Sequence, residues 1–159
     1  MSGDGTGAPV RAGLRILAVE DEADIRFLYR VMLEGDGHEV TEAVNGTDAL
    51  ALASAGAFDL VLLDMMLPDL DGFGVLSGLA ADPRTSELPV VIASARIAVE
   101  DQLRGLRAGA VGYLTKPFSV DRLLGLVAEI GAMTPHERVG AREDAIARLS
   151  WTDADEPTG

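Results

Sequence analysis

A chain of 159 residues is long enough for one domain with a full hydrophobic core and short of two. Its 48% apolar and 25% charged residues are ordinary for a soluble globular protein; no apolar run approaches the roughly 20 residues of a membrane helix, and Met1-Ser2-Gly3-Asp4-Gly5 lacks a basic signal-peptide start. The net charge of −13 argues against binding nucleic acid through a basic face, and zero cysteines exclude disulfides and thiolate metal sites, which fits a cytoplasmic location.

Residues 1–13 are Gly-rich and polar, without periodicity, and read as a disordered leader. The first predicted strand, 14–19, carries the run Ile16-Leu17-Ala18-Val19 and ends at Glu20-Asp21. Ile25, Leu28, Tyr29 and Met32 then follow the i, i+3, i+4, i+7 spacing of a helix, which Gly35 and Gly37 stop. A second strand covers 39–44, and Asn45 offers an N-cap for a helix over 46–55 that Gly56 ends. The third strand, 59–63, is the apolar run Leu60-Val61-Leu62-Leu63 with Asp64 closing it. Gly72 to Ala81 forms the third helix, weakened by Gly74 and Gly78 and closed by Pro83.

Val90-Val91-Ile92-Ala93 marks a fourth strand, 89–94, ending at Ser94, and Val99, Leu103 and Leu106 give a fourth helix. The fifth strand, 111–115, ends in Tyr113-Leu114-Thr115 followed by Lys116. Ser119 caps a fifth helix with the apolar stripe Val120, Leu123, Leu124, Val127 and Ile130. Beyond Gly131, Thr134-Pro135-His136-Glu137 has the form of a capping box and predicts a further helix over about 135–150, whose sparse Val139, Ile146 and Leu149 imply loose packing. The domain plan is thus a leader (1–13), a core domain (14–131), an additional C-terminal helix (134–151) and a disordered tail (152–159). His38 and His136 read as solvated surface.

Alternating strands and helices specify an α/β fold with a doubly wound parallel sheet, which binds ligands outside the carboxyl ends of its strands. For five strands the flavodoxin-like order 2-1-3-4-5 is favoured, placing Glu20-Asp21 and Asp64 side by side at the switch point. A carboxylate at the mouth of a buried strand is costly unless it does chemistry or holds a cation. Four strand ends bearing acid, acid, hydroxyl and ammonium imply one convergent site, and Lys116 is the only lysine of the chain.

Ile16-Leu17-Ala18-Val19-Glu20-Asp21-Glu22, Leu62-Leu63-Asp64-Met65-Met66-Leu67-Pro68 with Asp71-Gly72, Ala93-Ser94-Ala95, and Gly112-Tyr113-Leu114-Thr115-Lys116-Pro117-Phe118 together resemble a response regulator receiver domain of the chemotaxis-regulator type. The resemblance covers about 14–131 and supplies part of the support for the strand order. It implies a phosphoacceptor switch of a two-component or phosphorelay system, here a single-domain regulator and not an enzyme in its own right. Asp64 would take a phosphoryl group from a histidine kinase or histidine phosphotransferase. Asp21, with Glu20 in support, would hold Mg²⁺ together with Asp64 and the backbone carbonyl of Met66, a reading that the oxygen-only donor set also favours. Lys116 would neutralise the phosphoryl oxygens, Ser94 would donate its hydroxyl to one of them, and Tyr113 would be the switch aromatic that follows Ser94. The Lys116-Pro117 peptide is expected to be cis. Met66 and Arg96 stand where the family tunes self-dephosphorylation, and neither can orient an attacking water, so hydrolysis is expected to be slow.

The residues leave other readings open. Glu20 and Asp21 suit a plain helix cap, Ser94 an ordinary strand end, and Tyr113 half-buried packing. A degenerate receiver that binds partners without phosphorylation is one alternative. An aspartyl-phosphate phosphatase of the haloacid dehalogenase type is another, disfavoured because Met66 occupies the place of its second aspartate. The segment after Gly131 holds three arginines against six carboxylates, so no direct DNA binding is expected of it. Output is expected through an unknown downstream protein, or through a phosphorylation-linked homodimer, at the surface of the fourth helix, fifth strand and fifth helix. Asp101, Arg104, Arg107 and Arg122 are available there, unless they are merely solvated, and the C-terminal helix would cover or extend that surface.

Overall fold

Three strands of unbroken apolar sequence run through the middle of the molecule because both of their faces are covered. In the computed structural model, which describes residues 13–96 and 98–155 (the last four by backbone alone), every residue of β3 (Leu60–Asp64) and β4 (Val90–Ser94) is buried. In β1 (Arg15–Val19) only Arg15 is exposed. With β2 (Glu39–Ala43) and β5 (Gly112–Thr115) they make a five-stranded parallel sheet in the order β2-β1-β3-β4-β5, as expected. Alternation along each strand feeds two cores. Ile16, Ala18, Leu60, Leu62 and Val91 pack with α1 (Ala23–Gly35) and α5 (Val120–Gly131), where Tyr29, Leu33, Leu123 and Val127 are buried. Leu17, Val19, Val61, Leu63 and Ile92 pack against α2 (Gly46–Ala55) and α3 (Gly72–Ala81) on the other face. The remaining helices are α4 (Val99–Arg107) and α6 (Pro135–Asp155).

The helix ends follow their sequence signals. Asn45 accepts the Asp48 N–H at 2.8 Å and Ser119 the Arg122 N–H at 3.1 Å. Thr134 and Glu137 form the reciprocal capping box, at 3.1 and 2.9 Å. After α1 the chain turns through Gly37 at φ +90°, a conformation that glycine adopts without a Cβ clash.

Two expectations are corrected. The C-terminal helix does not stop near residue 150 but continues to Asp155, so 152–155 are helical rather than disordered; 156–159 and the leader through residue 12 lie outside the described residues. Nor is His38 solvated: its side chain is 9% exposed, and its Nδ1 accepts the Leu14 N–H at 3.0 Å. Placed between α1 and β2, the ring satisfies a backbone donor that precedes β1, a long-range contact that no local pattern announces. His136 is exposed, as expected.

Edge strand β2 is fastened to α1 by charge. Arg30 donates to Glu42 through Nε at 2.8 Å and Nη2 at 2.6 Å, and Arg26 Nε donates to the same carboxylate at 3.1 Å. The Arg30 hydrogen bonds, outweighing burial, hold the Glu42 carboxyl below its ordinary 4.5. A depressed folded-state pKa gives stabilisation that is present above 4.5 and lost as the pH falls through the depressed value. Glu42→Gln is therefore expected to cost about 1 kcal/mol in urea unfolding at neutral pH. That difference should close as the pH drops below the carboxylate range.

Candidate functional site

Sheet register brings the reactive strand ends together. Val19 stands opposite Leu63, so Glu20 emerges level with Asp64; Asp64 itself pairs with Ala93, and Ser94 with Thr115. The Lys116 N–H donates to the Ser94 carbonyl at 2.7 Å, and the Lys116-Pro117 peptide that follows is cis, as expected. Acid, acid, hydroxyl and ammonium thus leave adjacent strands at one edge.

Glu20 is wholly buried, Asp64 is 7% exposed and Asp21 faces solvent. Each offers a carboxylate oxygen, and these oxygens all lie within 4.8 Å of one another. Lys116 Nζ sits 2.8 Å from Glu20 Oε1 and 3.8 Å from Asp64 Oδ2. The single lysine is therefore nearer the supporting acid than the predicted phosphoacceptor. Burial pushes the Glu20 carboxyl up to about 7; the Lys116 hydrogen bond opposes this and the Asp64 charge reinforces it. Three carboxylates against one ammonium leave surplus negative charge in a site open on the Asp21 side. A small set of hard oxygen donors of this kind fits a hard divalent cation.

Neither acid of the pair is the N-cap residue of α1. The N-cap of α1 is Glu22, whose side chain makes no capping bond, and Glu20 Oε2 instead accepts the Glu22 N–H at 3.2 Å. Ser94 is 2% exposed, and its Oγ accepts the Arg96 N–H at 3.1 Å. Tyr113 is half-buried and donates its hydroxyl to the Arg96 carbonyl at 3.0 Å. The Met66 N–H donates to Asp64 Oδ1 at 3.2 Å while its side chain is 62% exposed.

Residues 16–128 match the model of the response regulator receiver domain. The chain belongs to that family. It is 41% identical over 110 residues to protein PilH of Pseudomonas aeruginosa, an alignment spanning 69% of this chain and 91% of that protein. To the DNA-binding dual master transcriptional regulator RpaA of Synechocystis it is 42% identical over 132 residues, 83% of this chain and 55% of that one. The chain spans about half the length of several curated relatives it matches, RpaA among them. Among solved structures, the receiver domain of the sensor histidine kinase PA1611 from P. aeruginosa, with a magnesium ion coordinated in its active-site cleft, superposes with a TM-score of 0.72 at 30% identity over 77% of this chain and all of that one. Membership of that family, together with the acidic cluster, is consistent with a phosphoacceptor signalling switch.

Several residues that hold the site in place escaped the sequence reading. Arg26 Nη1 donates to the carbonyls of both Glu20 and Asp21 at 2.8 Å, tying the acidic turn to the first turns of α1. Asp69 accepts the Gly46 and Thr47 N–H groups at 2.9 and 3.1 Å. The Thr47 side chain first, and these backbone donors after it, hold its carboxyl well below the usual range. It clamps the loop after Asp64 to the start of α2, across 23 residues of sequence. The same loop is pinned at α3, where Asp71 accepts the Gly74 N–H at 2.9 Å. A Cβ on Gly72 would lie 2.7 Å from Met65 Cα, so the loop can fold this tightly only over glycine. Beside the acids lies a cleft of about 450 Å³ between Met66 and Pro68 on one side and Arg96, Arg104 and Tyr113 on the other. Arg104 stacks 3.8 Å over the Phe73 ring and so joins α4 to α3 across this cleft. Arg26 lies one turn beyond an acid pair and was findable; Asp69 and Arg104 act through contacts that only the fold creates.

Proposed function

We propose that Asp64 accepts a phosphoryl group from the phosphohistidine of a histidine kinase or histidine phosphotransferase, with Mg²⁺ held by Asp21, Asp64 and the Met66 carbonyl and supported by Glu20. The observation that carries this reading is the trio of carboxylates within 4.8 Å of one another with Lys116 at 2.8 and 3.8 Å. A carboxylate oxygen of Asp64 attacks phosphorus, the P–N bond to the donor imidazole breaks, and an acyl phosphate forms as the imidazole leaves. A divalent cation held by these residues would neutralise carboxylate and phosphoryl oxygens together. Lys116 then supplies fixed positive charge to the phosphoryl group, and the Ser94 hydroxyl, after releasing the Arg96 N–H, donates a hydrogen bond to another phosphoryl oxygen. Tyr113 follows that movement as the switch residue.

The degenerate-receiver reading is weaker, because the full set of Glu20, Asp21, Asp64, Ser94 and Lys116 is present. The phosphatase reading is weaker still, with Met66 where an acid would be needed. Output runs through protein contacts in the cytoplasm, to a downstream protein or a second copy of the chain, and not through direct DNA contact by these residues. No described helix is long and apolar enough to cross a membrane.

The test is phosphotransfer profiling with labelled histidine kinases in the presence of Mg²⁺. The label should move to this chain and be released by mild base, as an acyl phosphate is. A label that resists base, or no transfer from any kinase and none from acetyl phosphate, would overturn the assignment. Met66 and the exposed Arg96, which ion-pairs with Asp101 at 3.7 Å, offer no acid or carboxamide to an attacking water. The phosphorylated protein should therefore keep its label for many minutes after the donor is removed; loss within seconds would refute this role for the two positions.

A further inference from the structure

The C-terminal helix is held weakly, and on a particular face. Along α6 the half-buried positions Ala141, Ala145 and Leu149 recur at i, i+4 and i+8 and lie over α4. No residue of α6 with a described side chain is fully buried, Val139 is 41% exposed and Trp151 72%. A groove of about 350 Å³ stays open between this helix, α4 and α5, with Leu106, Tyr113 and Leu126 in its walls. The helix start is better tied. Arg138 donates to the Met133 carbonyl at 2.9 Å and to the Glu87 carbonyl at 3.2 Å. An anchored first turn followed by an alanine-rich stripe lets the rest of the helix leave without unfolding the domain, since few large apolar groups are given up.

Tyr113 belongs to both ends of a path. Its side chain lines this groove and also the cleft beside the acids. Two hydrogen bonds lead from it to the site: its hydroxyl to the Arg96 carbonyl at 3.0 Å, and the Arg96 N–H to Ser94 Oγ at 3.1 Å. Above it α4 passes closely at Gly105, where a Cβ would come within 2.6 Å of Ile92 and 3.6 Å of the Tyr113 ring.

We propose that α6 is a displaceable internal ligand of the α4–β5–α5 face, released when Asp64 carries a phosphoryl group, so that the output partner receives a surface that this helix otherwise covers. The proposal rests on the phosphoacceptor reading. When Ser94 turns its hydroxyl to the phosphoryl oxygens, Arg96 loses its acceptor and Tyr113 loses its fixed carbonyl, and the wall on which α6 lies rearranges. Linkage makes the effect reciprocal: undocking the helix strengthens phosphoryl binding by the same factor. The face so exposed, with Leu106, Leu126 and Tyr113 beside Gln102 and Arg122, fits an amphipathic helix with acidic flanks, the chemistry of α6 itself.

The experiment uses the full chain with beryllofluoride and Mg²⁺ as the phosphoryl mimic. Amide hydrogen exchange across residues 140–150 should accelerate by about 5-fold on loading, the lower end of usual coupling. Ala145→Glu, which places a charge in the docked stripe, should tighten beryllofluoride binding by a similar factor, and Leu149→Asp should repeat the result. Tyr113→Phe keeps the ring but cuts the Arg96 link, and should reduce both effects to less than about 2-fold. A bound-fluoride NMR signal with unchanged exchange in α6 would overturn the coupling and leave the phosphoacceptor reading standing. No bound fluoride at all would overturn that reading, and this proposal with it.

Discussion

Replacing Asp64 by Asn is expected to lower phosphoryl acceptance from acetyl phosphate more than about 100-fold while making the metal-free protein more stable. The first effect follows from chemistry: the amide is no nucleophile, and exposed carboxylates elsewhere lack the arrangement around Asp64. The second follows from charge. Three carboxylates whose oxygens lie within 4.8 Å of one another share one ammonium, and that ammonium is closer to Glu20, at 2.8 Å, than to Asp64, at 3.8 Å. Removing the 7% exposed Asp64 charge takes away more repulsion than attraction, and a gain of about 1 kcal/mol in chelator is expected. Mg²⁺ should reverse the order. At 100 times its dissociation constant a ligand specific for the folded state adds about 2.7 kcal/mol, and the variant should collect much less of it. Urea unfolding with EDTA and with Mg²⁺ reads both halves. Undiminished labelling of Asp64→Asn would place the acceptor elsewhere, and an unchanged stability in Mg²⁺ would remove the cation from the site.

The architecture was legible because its signals are local and redundant. Continuous runs such as Leu60-Val61-Leu62-Leu63 can be satisfied only by burial on both faces, and caps such as Asn45, Ser119 and Thr134 sit where their hydrogen bonds are made. The site was legible because each of its groups ends such a run. Once the strands are parallel, their carboxyl ends have nowhere else to meet. What escaped was non-local. Asp69 meets α2, His38 meets Leu14 and Arg104 meets Phe73 across stretches in which intervening residues carry no trace of the contact. Sparse apolar positions predicted a loosely packed α6, in which no described side chain is fully buried, but its length was underestimated, because helix continuation past Trp151 needs only tolerant residues and not a periodic stripe. Lys116 teaches a subtler point. Its place in the site followed from the strand end, whereas its preference for Glu20 follows from which acid lies deepest.

That preference sets the expected behaviour of Lys116→Ala. On the proposed phosphotransfer, loss of the ammonium would remove a fixed positive charge from the developing phosphoryl group, and removal of one preorganised electrostatic group commonly lowers a rate by about 10²–10³. Acceptance from acetyl phosphate should fall by that order while Mg²⁺ still stabilises the protein, since its oxygen donors remain. The variant should also be less stable by about 2–3 kcal/mol at pH 8, because Glu20, wholly buried, loses its only ion-pair partner among the described residues. This loss should shrink toward acidic pH: the Glu20 carboxyl, already pushed up to about 7 by burial, goes higher without Lys116 and takes up a proton. The two roles separate in the double variant. Adding Glu20→Gln to Lys116→Ala removes the stranded charge and should restore most of the lost stability, yet leave phosphoryl acceptance low. Recovery of acceptance along with stability would mean that the lysine serves the fold by neutralising Glu20 and contributes nothing directly to the transfer.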